Sequence, residues 1–214
     1  MNALIDNDVL LKGACYRLLG QLATTICADS PVVGVLGSAR FVVPRKMEKV
    51  NLRGDRAAAL KVLFMFLSEA EALEPADNEQ RLAADMELAA QKHGVNLHEG
   101  ESLLCAILVQ RALPSLATGD KRAIVAIEML LDIDSRLLAV RGRVKSLEQL
   151  FAAALVRHGC AALRMAVCAE PEVDKSLAIC FSCSSHSVED TTVMEGLQSY
   201  ISDLRRKAGR VLAP

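Results

Sequence analysis

Short apolar segments alternate along this chain with longer segments that are rich in Ala and Leu. Ala3-Leu4-Ile5 and Ser115-Leu116-Ala117-Thr118 are predicted to be buried strands, and the stretches between them place apolar residues at the spacing of helices. Parallel strands need a long crossover, which is usually a helix. The pattern therefore predicts an α/β protein whose small parallel sheet lies between two layers of helices.

The same reasoning gives approximate bounds for the other elements. We predict helices over 9–22, 55–73, 76–93, 99–113 and 120–132, a strand over 39–43 that ends at Pro44, and a weak strand over 138–144. The rest of the chain, 146–212, is predicted to be mainly helical. We therefore expect a main α/β domain over 1–150 and a helical extension over 151–214 that packs on it.

Composition excludes several classes of protein. With 52% hydrophobic and 24% charged residues, the chain can build a core and is not intrinsically disordered. Its net charge of −1 provides no overall attraction to nucleic acid, so a polyanion would need a local basic patch. The most apolar stretch, 151–169, contains Arg157, His158 and Arg164, which argues against a membrane span. The acidic first residues and seven irregularly spaced cysteines lead us to expect a cytoplasmic protein.

Acidic residues follow the two predicted strands. Asp6 comes directly after Ala3-Leu4-Ile5, and Asp120 comes shortly after Leu116-Ala117. A third acidic residue, Glu101, begins an apolar helical run. Because ligand sites of parallel α/β sheets lie at the carboxyl ends of strands, we expect these carboxylates to share one site.

The segments that carry these acids resemble the motifs of the PIN-domain family of metal-dependent nucleases. They are Leu4-Ile5-Asp6-Asn7-Asp8-Val9-Leu10, Gly100-Glu101 and Thr118-Gly119-Asp120-Lys121-Arg122-Ala123. Their order and approximate spacing match the family over roughly residues 2–150. The resemblance implies a three-layer α/β/α fold and a metal-dependent endoribonuclease.

The resemblance also implies roles for particular residues. Asp6, Glu101 and Asp120 would be catalytic and would hold Mg²⁺ or Mn²⁺, for which oxygen ligands are suited. The family usually has a fourth acid, which in some relatives stands at the position of Gly119; here Asp8 or Glu99 would replace it. The metal would activate water and offset charge on the phosphodiester.

Two alternatives accompany this interpretation. Asp6, Asp8 and Asp120 are also suited to cap helices, and Glu101 to interact with the dipole of a first helical turn. The incomplete set of acids equally fits a non-catalytic binding or assembly module with the same fold.

Binding of RNA would need positive charge near these acids. Thr118, Lys121 and Arg122 are candidates for substrate contact because they flank Asp120, and Arg45 and Lys46 belong to the most basic cluster of the chain. The scarcity of aromatic residues favours structured RNA over a single strand as substrate. The stripe of apolar residues on the last helix is expected to pack against its own domain, with a homodimer interface as the alternative. The resemblance further suggests a homodimer or an inhibitory partner protein.

Overall fold

A five-stranded, all-parallel sheet forms the centre of the computed structural model, which describes residues 3–26 and 32–214. In chain order its strands are β1 (Ala3–Ile5), β2 (Val33–Leu36), β3 (Glu71–Leu73), β4 (Leu116–Thr118) and β5 (Val144–Ser146). Their spatial order is β3-β2-β1-β4-β5. The α/β class is therefore confirmed.

Helices connect the strands and continue after the sheet is complete. They are α1 (Asn7–Cys15), α2 (Leu19–Ile26), α3 (Ala39–Glu48), α4 (Arg56–Glu69), α5 (Asp77–Lys92), α6 (Glu99–Gln110), α7 (Lys121–Leu130), α8 (Leu147–His158), α9 (Cys160–Ala169), α10 (Lys175–Cys180) and α11 (Asp190–Ala208). A 3-10 helix, Ser135–Val140, precedes β5. Helices α1 to α4 pack on one another, whereas α5 packs on α6 and α7 in the other layer.

The order of the strands reverses direction at β1. The chain builds β2 and β3 on one side of β1 and then returns to place β4 and β5 on the other side. In parallel sheets the crevice at such a reversal, outside the carboxyl ends of the strands, is where ligands bind. In this chain that crevice lies after Ile5 and Thr118, the last residues of β1 and β4.

The helical extension is part of the same core. Helix α8 begins before residue 150 and ends after it, and it packs against α2 and α11. The carboxyl-terminal end also meets the sheet, since Leu212 forms a parallel bridge with Val144 of β5. Val193, Leu197, Ile201, Leu204 and Ala208 of α11 are buried. The apolar stripe of α11 therefore packs within the chain and is not free to form a dimer interface.

The predicted strand over 39–43 is wrong, because these residues begin α3. The buried residues of this segment, Ala39, Val43 and Met47, recur every four positions, which is the period of a helix. The strand is instead Val33–Leu36, all of it buried. Its Gly34 pairs with Leu4 of β1.

Three other boundaries differ from the prediction. The helix predicted over 9–22 is two helices, separated near Arg17 by a backbone with positive φ. The helix predicted over 55–73 ends at Glu69, and β3 follows it as an edge strand paired with β2. Ala and Glu favour helices, so the pairing with β2 stabilises this strand against its local preference. The strand predicted over 138–144 lies later, at Val144–Ser146.

Two further findings concern the helices. Within residues 3–26 and 32–214, no helix is both long and apolar enough to cross a membrane. Cys168 at the end of α9 forms a disulfide with Cys183 after α10. The sequence had not indicated this pair.

Candidate functional site

Asp6 is a buried carboxylate at the junction of β1 and α1. It is 4% exposed, and it caps α1 by accepting hydrogen bonds from the amides of Asn7 (2.6 Å) and Asp8 (3.4 Å). The Thr118 hydroxyl donates a further hydrogen bond of 3.1 Å to its Oδ2. Burial and the neighbouring Asp8 raise the pKa of Asp6, although these hydrogen bonds oppose the change. The hydrogen bonds thus fix the Asp6 side chain at a position where its ionised form is less favourable than in water.

Thr118 links the ends of the two central strands. Its hydroxyl oxygen accepts a 3.2 Å hydrogen bond from the Asp120 amide while its hydrogen is donated to Asp6. Asp120 caps α7 through the amides of Arg122 (2.8 Å) and Ala123 (3.3 Å). Burial acts to raise the pKa of Asp120, but the Arg122 guanidinium and these amides outweigh it, so the pKa is lower than usual.

Glu101 reaches the same region from α6. Its carboxylate accepts a 2.8 Å hydrogen bond from the His98 amide and so caps the start of that helix. Burial raises the pKa of Glu101, the His98 amide opposes this, and the charges of Asp6 and Asp120 raise it further. Glu101 is therefore within electrostatic reach of both other carboxylates.

A single cavity of about 440 Å³ connects these acids. Its lining comprises Asp6, Asp8, Lys12, Lys46, His98, Glu101, Gly119, Asp120, Lys121, Arg122 and Asp174. All three carboxylates that the resemblance implies as metal ligands are included. Asp6 and Asp120 are helix N-caps and Glu101 lies in the first turn of α6, as the alternative interpretation predicts, whereas Asp8 is not a cap but lies in the first turn of α1. These local roles do not exclude a shared site.

Asp8 occupies the space next to Gly119. A Cβ built on Gly119 would clash with the Asp8 Oδ2, so an aspartate at 119 could not coexist with this placement of Asp8. Of the two candidates for the fourth acid, Asp8 lines the cavity, whereas Glu99 lines a neighbouring one.

Lys12 introduces a positive charge into the acidic cavity. Its ammonium lies 2.7 Å from Asp8 Oδ2 and 2.8 Å from Asp174 Oδ2, and its side chain is 15% exposed. Burial would lower the pKa of Lys12, but the two carboxylates raise it above its usual value. Lys12 is therefore charged and neutralises one side of the cavity.

The predicted substrate residues are divided by the structure. Lys46, Lys121 and Arg122 line the cavity, whereas Arg45 is exposed on α3 and does not. The Lys121 ammonium pairs with the buried Glu148, and the Arg122 guanidinium is exposed and pairs with Asp120.

Metal binding itself is not visible in this arrangement. Within the described ranges 3–26 and 32–214, no group of three or more His, Cys, Asp or Glu side chains is arranged to hold a metal ion. The carboxylates share a cavity without converging on one point. Their oxygens match the preference of Mg²⁺ and Mn²⁺, and Glu101 is subject to the repulsion that a cation would relieve.

Three residues of the site were not predicted from the sequence. Lys12 stands four positions after Asp8 on α1, a spacing that brings side chains together on a helix, so a local signal existed. His98 precedes α6, and a histidine at a helix end carries no distinct sequence signal for a site. Asp174 comes from the segment before α10, in the extension, and no sequence pattern connects it with β1.

Comparisons with protein-family models, with curated proteins and with solved structures gave no match to this chain.

Proposed function

We propose that the chain is a metal-dependent endoribonuclease of PIN-like type, with one Mg²⁺ or Mn²⁺ ion held by Asp6, Glu101 and Asp120. The observation that supports this most is the common cavity of these three carboxylates at the point where the strand order reverses. Such a crevice is the usual ligand site of a parallel sheet. The ion would supply an activated water and offset charge on the phosphodiester.

Asp6 is the proposed anchor of this site. Its hydrogen bonds with Thr118 and with two amides fix its orientation, and carboxylate oxygens can accept further ligands. The raised pKa of Asp6 and of Glu101 means that a cation binding between them would gain from relieving their repulsion.

Lys12 favours one metal ion over two. Its ammonium already lies between Asp8 and Asp174, the acids that a second ion would need. We therefore assign to Lys12 the neutralisation of this side of the cavity. Phosphate oxygens would be contacted by Lys46 and by the exposed Arg122 guanidinium, which is free to exchange its weak contact with Asp120 for a phosphate.

The test is cleavage of a structured RNA in Mn²⁺ by the wild type and by Asp120→Asn. Asparagine remains a good helix cap, so we expect the fold to persist while cleavage falls by a factor of 100 or more, on the order of magnitude for loss of a key electrostatic contact.

Asp134→Asn is a matched control. Asp134 caps the 3-10 helix and pairs with an arginine two residues later, as Asp120 does with Arg122, but it does not line the cavity. Cleavage should survive in this variant. Equal activity of the wild type and of Asp120→Asn would contradict the proposal.

The absence of a metal-holding arrangement in the described residues, together with the pairing of Lys12, favours a second candidate. It is a non-catalytic binding or assembly module with a PIN-like fold. A protein that binds RNA or a partner equally well in EDTA and in Mn²⁺, and cleaves nothing, would be this module.

A further inference from the structure

A second cavity of about 330 Å³ lies between α7 and α11, beside the acidic one. Its lining is Val95, Asn96, Lys121, Arg122, Val125, Ala126, Tyr200, Asp203, Leu204 and Lys207. Its volume falls at the lower end of the range for small-molecule sites, about 300–1,000 Å³. The walls from Val125, Ala126 and Leu204 are apolar, and charged side chains stand around them.

Tyr200 is the aromatic residue of this cavity, and its ring is held in place. The Lys121 ammonium lies 4.5 Å from the ring centroid. Lys121 is itself fixed by the buried Glu148 and by a 3.4 Å hydrogen bond with Ser176. The ring is half-buried against the core of the protein, so one part of it stays accessible.

The two cavities share a wall. Lys121 and Arg122 line both of them. The Lys121 ammonium is neutralised by Glu148, so the exposed Arg122 guanidinium, in its 3.4 Å pair with Asp120, is the cation of this shared wall that a ligand in the second cavity could contact. The exposed Lys207 adds positive charge at the other side, where it is paired with Asp203. An apolar slot with an aromatic ring, next to cations, is complementary to a nucleotide, whose base is flat and whose phosphate is negative.

We propose that this second cavity is a nucleotide subsite, in which an unpaired base of the RNA stacks on the part of the Tyr200 ring that Lys121 leaves open while its phosphate contacts the exposed Arg122 guanidinium. The proposal rests on the proposed function for its substrate class. The Asn96 side chain offers both a donor and an acceptor to the edge of the base. A single aromatic ring can stack with one unpaired base of a structured RNA, which agrees with the scarcity of aromatic residues in the chain.

The two tyrosines of the chain make a direct test available. In protein labelled with 3-fluorotyrosine, fluorine NMR should show one signal each for Tyr16, which is buried, and Tyr200. We expect adenosine monophosphate, added in EDTA, to shift the Tyr200 signal saturably and leave the Tyr16 signal in place. Ribose 5-phosphate, which has no base, should shift it much less. Tyr200→Phe assigns the signal.

A second readout uses RNA that carries an unpaired adenosine, again in EDTA. Tyr200→Leu should weaken binding about tenfold, in line with the loss of one stacked base, and Tyr200→Phe should restore it. An unshifted Tyr200 signal, or an equal shift with ribose 5-phosphate, would overturn the subsite. If the Tyr200 signal shifts only with a base and the protein cleaves no RNA, the subsite is supported and only the proposed nuclease activity is contradicted.

Discussion

Asp6 shows how one side chain serves both the fold and the proposed chemistry. It ends β1 and caps α1, which requires it to stand where the chain turns from strand to helix. The same position makes it 4% exposed and places Asp8 beside it, which raises its pKa. An asparagine at this position could still accept a capping hydrogen bond and would carry no charge to bury.

The raised pKa gives a prediction for the metal-free protein. The native state holds the Asp6 proton more tightly than the unfolded state, whose pKa is near 3.8, so stability falls as the pH rises through the raised value. Asp6→Asn should remove this decline, so the stability of the variant relative to the wild type should rise from pH 3 to pH 8, by about 1.4 kcal/mol for each unit of pKa difference. The loss of one acceptor oxygen for the Asn7 and Asp8 amides and the Thr118 hydroxyl acts against the variant and does not produce this rise. Chemical denaturation in EDTA from pH 3 to pH 8 measures it.

Asp134→Asn should change the pH dependence of stability in the opposite direction in the same experiment. Hydrogen bonds from the Arg136 guanidinium keep the pKa of Asp134 below its usual value, so its contribution is present above pH 3.8 and is lost as the pH falls further. This variant should lose stability at pH 7. If the stability of Asp6→Asn relative to the wild type did not rise with pH, the unfavourable charge that we assign to Asp6 would be wrong.

At the scale of helices and strands, the local sequence determined the parts of the site that lie close together along the chain. The apolar triplet before Asp6 and the strand before Asp120 were predictable because each is short, buried and followed by a capping acid. The strand over 71–73 was not, because Glu-Ala-Leu favours a helix and becomes a strand only through its pairing with β2. Asp174 was also beyond prediction, since only the packed fold brings it to Lys12.

The extension is tied to the main layers by Glu170, at the carboxyl end of α9. Its buried carboxylate accepts 2.7 Å hydrogen bonds from the amides of Arg53 and Gly54, just before α4. Glu170→Gln leaves one acceptor oxygen for two amides, and we expect a loss of about 1–3 kcal/mol in the free energy of unfolding, measured with urea.

Glu172→Gln is the control for this prediction. Glu172 lies two residues away, is about half exposed and is only 4.0 Å from the Arg53 guanidinium, so its replacement should change stability by less than about 0.5 kcal/mol. An equal loss from both variants would mean that net charge, and not the two hydrogen bonds, stabilises this contact.

At the scale of the whole molecule, the strand order and the extension create one cavity with acids on one side and a paired lysine on the other. The sheet supplies Asp6 and Asp120, helix α6 supplies Glu101, and the segment before α10 supplies Asp174. We propose as the central claim that Asp6, Asp120 and Glu101 bind a single divalent cation, and that the Lys12 ammonium occupies the position of a second cation.

The most direct test is a titration of Mn²⁺ followed by electron paramagnetic resonance, in which bound Mn²⁺ loses its free-ion signal. We predict one Mn²⁺ per wild-type chain, unchanged in Asp134→Asn and lost in the double variant Asp6→Asn/Asp120→Asn. Absence of binding to the wild type, or equal binding to the double variant, would contradict the metal site and with it the nuclease.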